Sequence, residues 1–284
     1  MKFAFHFPAT DHTADPGEVA TEIEQRGLEG ILFPEHTHMP VDHAPSPYSG
    51  TEERMVKNRR LYSPFVSMAW AAARTSTISI GTCVSLPAQY HPLILAKLLA
   101  SLDDLSKGRI TYGIGYGWLD QEMIDFGVNP KRKRARVREH ILAVREIWSR
   151  DEPSFAGEFV SFPKCWSWPK PPGGNRVKFL MGAAGSDRTL DHVVDYCDGW
   201  MPSIRGDIEG FAGQVARLKD KARDAGRDPA SLQIDVIAPN RSVELFEGFE
   251  KLGVNRVILH LPFAGFDTVR QTLDEYEQDF FRHF

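Results

Sequence analysis

Short runs rich in β-branched and aromatic residues alternate with longer helical patterns from one end of this chain to the other, and nothing else in the sequence restricts its fold as strongly. The predicted strands are Lys2–Phe7, Gly30–Pro34, Ile78–Val84, Arg109–Gly115, Lys178–Gly182, Gly199–Pro202, Gln233–Ile237 and Arg256–His260. The predicted helices are Pro16–Arg26, Tyr62–Arg74, Pro92–Leu105, Arg134–Ser149, Asp187–Tyr196, Asp207–Ala225, Ser242–Leu252 and Phe266–Phe281, where apolar periodicity or capping residues recur. Pro16 and Pro92 suit a first helical turn. Most strands are almost wholly apolar, as strands covered on both faces must be. Units of this kind build either an open doubly wound sheet or a closed barrel. The first strand leads into no G-x-G-x-x-G turn, and about eight regular units in 284 residues favour closure. The expected fold is a (β/α)8 TIM barrel, a single domain over residues 1–284, with insertions after strand 2 and before strand 5.

The first insertion, Glu35–Leu61, carries His36, His38 and His43; the second, Arg150–Arg176, carries Cys165, Trp166, Trp168 and the run Pro169–Gly174. Long ordered segments of compact domains are usually functional, so both are expected to act as lids or walls of a pocket. With 42% hydrophobic and 11% aromatic residues the chain can bury the core such a barrel needs. A formal net charge of -4 leaves no footprint for nucleic acid or an anionic membrane, and a small molecule is the expected partner. Apolar stretches are broken well short of the roughly 18 residues of a spanning helix, and Met1 leads directly into a strand, so neither membrane anchor nor signal peptide is expected. Cys83, Cys165 and Cys197 are odd in number and widely spaced, which fits a reducing cytoplasm and no zinc site.

Barrel enzymes assemble their sites at the carboxyl ends of the strands. The polar residues there are His6, then Glu35 and His36, then Thr82, Cys83 and Ser85, then Gly115, Tyr116, Gly117 and Trp118, then Gly182 to Ser186, and finally His260. Adjacent Glu35 and His36 offer a carboxylate and an imidazole for proton transfer, or else a loop cap and a backbone contact. His36 and His38 have no third ligand at a recognisable spacing, so no metal is expected. The small-residue turn Gly182-Ala183-Ala184-Gly185-Ser186 either receives an anion at a helix start or serves tight packing. Gly113, Gly115 and Gly117 alternate along one strand end, where they admit a flat ligand or relieve crowding. The six basic residues within Lys131–Arg138 meet a polyanion or form a solvated helix start.

Taken in order, several segments together resemble the bacterial-luciferase-like flavin oxidoreductases, in particular the branch using the deazaflavin coenzyme F420. They are Phe33-Pro34-Glu35-His36, Ile80-Gly81-Thr82-Cys83-Val84 with His91-Pro92, and Gly108-Arg109 through Gly113-Ile114-Gly115-Tyr116-Gly117-Trp118. Trp148 with Gly157-Glu158-Phe159, Pro169-Lys170-Pro171 and Asp198-Gly199-Trp200 complete the set, which spans nearly all of the first two hundred or so residues. The resemblance implies catalytic roles for Glu35 and His36 and cofactor contacts from His6, Thr82, Cys83, Val84, Gly115, Tyr116 and Gly117. It also implies a non-proline cis peptide at Cys83–Val84 behind the ring, and a cofactor phosphate at Gly182, Ala183, Ala184 and Ser186. Cys83 then reads as a backbone-defined position and His91 as structural. Tyr48, Tyr62, Trp118, Trp166 and Trp168 are expected to line an apolar substrate pocket.

The implied activity is hydride transfer between F420 and a small organic substrate, in a homodimer. Glu rather than Asp precedes the His, and Gly182-Ala183 stands where some F420 relatives have Gly-Gly. A second reading therefore stays open: an FMN-dependent monooxygenase of the same superfamily, using reduced flavin and oxygen. A cofactor carrier without turnover is a third.

Overall fold

The computed structural model describes residues 1–41, 52–172, 177–239 and 241–284. Eight parallel strands close into a barrel: β1 (Phe3–His6), β2 (Gly30–Phe33), β3 (Ser79–Ser85), β4 (Ile110–Ile114), β5 (Lys178–Met181), β6 (Gly199–Trp200), β7 (Gln233–Ile237) and β8 (Arg256–His260). β1 completes the ring by pairing with both β2 and β8, which sets His6 opposite His260. Ten helices surround it among the described residues: α1 (Pro16–Gln25), α2 (Glu52–Asn58), α3 (Pro64–Arg74), α4 (Pro92–Leu105), α5 (Asp120–Asp125), α6 (Lys133–Ser149), α7 (Asp187–Tyr196), α8 (Ile208–Asp224), α9 (Val243–Leu252) and α10 (Phe266–Asp279). None is long and apolar enough to cross a membrane.

Local chemistry starts these helices where they are needed. Asp15 accepts from the Gly17 and Glu18 amides ahead of Pro16, and Ser186, Asp207 and Ser242 cap α7, α8 and α9 in the same way. His91 caps α4 by accepting from the Leu93 amide, with Pro92 at the first helical position. The main core packs large side chains such as Phe5, Phe33, Phe179 and Trp200 between sheet and helices. A second cluster, Ala4, Leu32, Cys83, Leu180, Met201 and Ile258, fills the barrel itself. Filling of this kind makes the interior a packed plug, so a ligand must bind above it.

Every expected strand and helix is present, with ends within two residues of those predicted. The trimmed ends have reasons. The Tyr62 amide donates to the Ala9 carbonyl instead of entering α3, and β6 stops before Pro202, which has no N–H to give. Not foreseen were α2, α5 and a small hairpin pairing Phe155–Ala156 with Ser161–Phe162.

The hairpin corrects the reading of the second insertion. It joins the end of α6 to the start of β5 and so leaves from the barrel's N-terminal end. It climbs the outside of α6, where Glu139 accepts from the Glu158, Phe159 and Val160 amides at 2.8, 2.6 and 2.8 Å. On the way back Lys170 Nζ donates to the Ile147 and Arg150 carbonyls at the foot of α6, at 2.5 and 2.8 Å. Trp166 and Trp168 therefore wall no pocket at the mouth. They lie on the outer surface, 78% and 54% exposed, with Lys97 donating to the Trp168 carbonyl and Lys170 Nζ 5.1 Å from its ring.

Candidate active site

The mouth opens at the carboxyl ends of the strands, and β3 supplies its floor. The β3–β4 register shifts between Thr82 and Ser85, and the Cys83–Val84 peptide is cis. Val84 leans over two neighbouring strand ends: a Cβ at Gly182 would sit 2.3 Å from its Cγ1, and one at Gly115 would sit 2.8 Å from its Cγ2. These glycines make room for Val84, so the crowding reading holds at both positions. Gly117 differs, with φ 78° and a space filled by Met123 Sδ, 2.6 Å from where a Cβ would be. Thr82 Oγ1 donates to the Gly113 carbonyl at 2.7 Å, and burial pushes the Cys83 thiol up to about 12. Cys83 is therefore barrel filling rather than a nucleophile, and this stretch can offer a ligand only backbone and Val84.

His36 stands at the rim with both ring nitrogens engaged. Nδ1 lies 2.7 Å from Glu122 Oε2, and Nε2 accepts from Trp118 Nε1 at 3.2 Å. Indole can only donate, so Nε2 is unprotonated and the ring proton sits at Nδ1, facing the carboxylate. Glu122, 1% exposed, also accepts from the Thr37 amide at 3.0 Å, and His38 pairs with Asp125 one turn further along the same helix at 2.8 Å. The Glu122-bearing helix is itself pinned at its start, since Lys133 Nζ donates to the Gly117 carbonyl at 2.7 Å and to Asp120 at 2.8 Å. Among the described residues no three metal-ligating side chains gather.

Glu35 faces elsewhere. Its carboxylate, 4% exposed, accepts from Ser85 Oγ, Tyr90 OH and the Leu86 amide, the last at 2.7 Å. Burial raises its pKa against the pull of these donors, with the Glu122 charge adding to the rise. On the β1–β8 side of the mouth, the Nδ1 atoms of His6 and His260 lie 3.1 Å apart, so one ring donates while the other accepts.

The turn after β5 has the makings of an anion site. The Gly182 and Ser186 amides donate to the Ile114 and Ala184 carbonyls, while those of Ala183, Ala184 and Gly185 meet no protein acceptor among the described residues. Ser186 Oγ caps α7 through the Thr189 amide at 3.3 Å. Arg134 stacks on Tyr116 at 4.2 Å and reaches Thr189 Oγ1 at 3.4 Å, beside the same helix start. Tyr116 in turn bonds His192 Nδ1 at 2.8 Å. Most of the basic run is otherwise paired: Arg132 with Glu158, Lys133 with Asp120 and Arg138 with Asp195. The solvated-helix reading covers these three. A donor-rich helix start beside a small-residue floor fits a flat ring carrying a phosphate.

A family model for luciferase-like monooxygenases matches residues 3–243. The chain belongs to that family. A Mycobacterium tuberculosis protein of uncharacterised function is 36% identical over 267 residues, covering 92% of each chain. The FMNH2-dependent dimethylsulfone monooxygenase of Pseudomonas fluorescens is 29% identical over 228 residues, covering 78% of this chain and 60% of its own. An F420-dependent secondary alcohol dehydrogenase shares the fold with a TM-score of 0.74 at 17% identity, covering 98% of both chains. The luciferase-like family thus contains both F420-dependent dehydrogenases and FMNH2-dependent monooxygenases, and its members are oxidoreductases acting on small molecules.

Within this luciferase-like barrel, His6, Glu35, His36, Thr82 to Val84, Gly115 to Trp118 and Gly182 to Ser186 all lie at or just beneath one mouth. Tyr62 stands at its rim, held to the loop after β1 through the Ala9 carbonyl. Tyr48 and His43 lie outside the described residues. Glu122 escaped the sequence reading because α5 is only six residues long. Its signal was the apolar pair Leu119 and Met123 at helical spacing, with acidic residues between them.

Proposed function

We propose that this chain is a coenzyme F420-dependent oxidoreductase that moves a hydride between the deazaflavin and a small apolar organic substrate, as a cytoplasmic homodimer of single-barrel subunits. The observation that carries this reading is the Trp118–His36–Glu122 relay beside the Val84 floor. When bound, F420 would supply a ring carbon that gives or takes a hydride without activating oxygen. The protein's part is then the accompanying proton. Glu122, by holding Nδ1–H, fixes the tautomer in which His36 Nε2 is the base, and Trp118 covers that lone pair until a substrate group replaces it. The backbone of Thr82, Cys83 and Val84, with Gly115, Tyr116, Gly117 and His6, would hold the ring. Gly182, Ala183, Ala184 and Ser186 at the start of α7 would hold its phosphate, and Tyr62 and Trp118 would border the substrate.

Subunit pairing is supported by α3, which carries Arg74 as its one charged residue and leaves Val66 and Trp70 exposed. Three free cysteines support a reducing compartment. The test is titration of the purified protein with F420 and with FMN, followed by turnover with reduced F420 under and without oxygen. F420 binding with oxygen-independent turnover is expected. Tight FMN binding with substrate-dependent oxygen uptake would put the monooxygenase reading in its place.

A further inference from the structure

Glu35 takes no part in the relay. Both nitrogens of its neighbour His36 are engaged by Glu122 and Trp118, and the Glu35 carboxylate meets three other donors, all from the segment that follows Val84. Ser85 and Leu86 are the next two residues of the chain, and Tyr90 ends the short 3-10 turn Pro87–Gln89. Behind them Ser85 Oγ shares a 2.6 Å hydrogen bond with Tyr112 OH on β4. Phe65 of α3 packs against both tyrosines, with ring centroids 5.3 Å from Tyr90 and 6.1 Å from Tyr112. One carboxylate thus gathers the ends of β2 and β3 and the turn after them, in a place closed to solvent. We propose that Glu35 is a positioning residue: its buried carboxylate holds the Ser85–Leu86 turn, and with it the Val84 floor of the mouth, and exchanges no proton with substrate.

The geometry explains why an acid suits the position. Three donors converge, and a buried donor left without an acceptor is costly. Oε2 takes Ser85 and Leu86 while Oε1 takes Tyr90, so both oxygens are engaged from inside the protein. An exchange with substrate would have to break this set. Ser85 and Leu86 cannot shift without moving Val84, which is wedged against Gly115 and Gly182.

The proposal rests on the reading that the mouth holds a flavin-type ring against Val84, so its test has one readout that needs no ring. Glu35→Ala, Glu35→Gln and Tyr90→Phe are made in the full chain. Hydrogen exchange at the Leu86 amide is measured without ligand, and affinity and pH-dependent turnover are measured with F420 or FMN. In Glu35→Ala the Leu86 amide should exchange at least about tenfold faster and cofactor affinity should fall about ten- to a hundredfold. Glu35→Gln, whose carbonyl still accepts from Leu86, should recover most of both and keep the pH midpoints of turnover. A Glu35→Gln protein with unchanged affinity but about a hundredfold less turnover, or a lost limb of the pH profile, would make Glu35 a proton carrier and overturn the proposal. So would unchanged Leu86 exchange in Glu35→Ala. Should that variant not fold, Tyr90→Phe must speed the same exchange by a smaller factor, and no change there counts against the clamp. If neither cofactor binds the unaltered protein, the functional reading fails while the Leu86 amide still decides this one.

Discussion

The two ends of the barrel are both lined with polar groups, but they hold them in opposite ways. At the N-terminal end a cavity of about 670 Å³ opens among Lys2, Ser79, Arg109, Lys178, Gln233 and Arg256. Its polar atoms satisfy one another: Arg256 pairs with buried Asp235 at 2.5 Å, Lys2 with Glu29 at 3.1 Å, Lys178 with Gln233 at 2.9 Å, and Arg109 donates to carbonyls of Ala72, Thr75, Ile78 and Ser106. At the mouth the arrangement is less complete. The His36 lone pair is covered by an indole N–H that a ligand can replace, and three amides after β5 meet no protein acceptor among the described residues. What marks the site is a replaceable partner, and neither cavity size nor charge would have found it.

The sharpest way to break this contrast is Asp235→Ala, which strands the Arg256 guanidinium inside the barrel. Stability should fall by about 3–5 kcal/mol in urea unfolding, with turnover per folded molecule unchanged. Equal loss of both would mean that the two ends are not independent. Acid should reach the mouth's support next. His140, buried on α6, donates from Nδ1 to the Pro87 carbonyl behind the β3 floor, and burial lowers its pKa to about 4. The unfolded chain, with an ordinary His near 6.5, binds this proton first, so stability is complete above that pH and declines as pH falls from 6.5 to about 4, by up to about 3 kcal/mol. Melts of the protein and of His140→Gln across that window would show the slope and its removal.

At the mouth itself the cost should appear in rate instead. Glu122→Gln keeps the shape but not the charge that orients His36, and turnover is expected to drop about a hundredfold, roughly 2.7 kcal/mol, while the urea midpoint moves little. A large midpoint shift would class Glu122 with the closed end. Trp118→Phe removes one exchangeable hydrogen bond and should change turnover by no more than about tenfold, the worth of a single such bond. Steady-state kinetics at saturating cofactor separates these two outcomes.

The barrel was legible because its strands are apolar on both faces and its helices begin at Pro16, Pro92, Ser186 and Ser242, all local signals. His36 was legible as a polar residue just beyond a strand. The role of Glu35 was not, because the three donors that hold its carboxylate lie 50, 51 and 55 positions downstream. Glu122 reaches His36 across 86 positions of sequence, a pairing that no local pattern encodes. Trp166 and Trp168 were misplaced for a topological reason: a segment that runs from a helix into a strand belongs to the N-terminal end of a barrel, whatever its aromatic content.

Trp118 also gives the molecule an optical consequence. Of the six tryptophans, Trp148 and Trp200 are sealed in the core, Trp70 lies on the α3 face proposed for subunit pairing, and Trp166 and Trp168 face outward, where a soluble quencher can silence them. Trp118 alone has its indole tied to an imidazole at the mouth, with ring centroids 5.4 Å apart. Any molecule that takes its place on His36 must release it into new surroundings. With Trp166 and Trp168 quenched, a change in its emission becomes a label-free light signal for occupancy, able to screen candidate substrates before any reaction has been assigned.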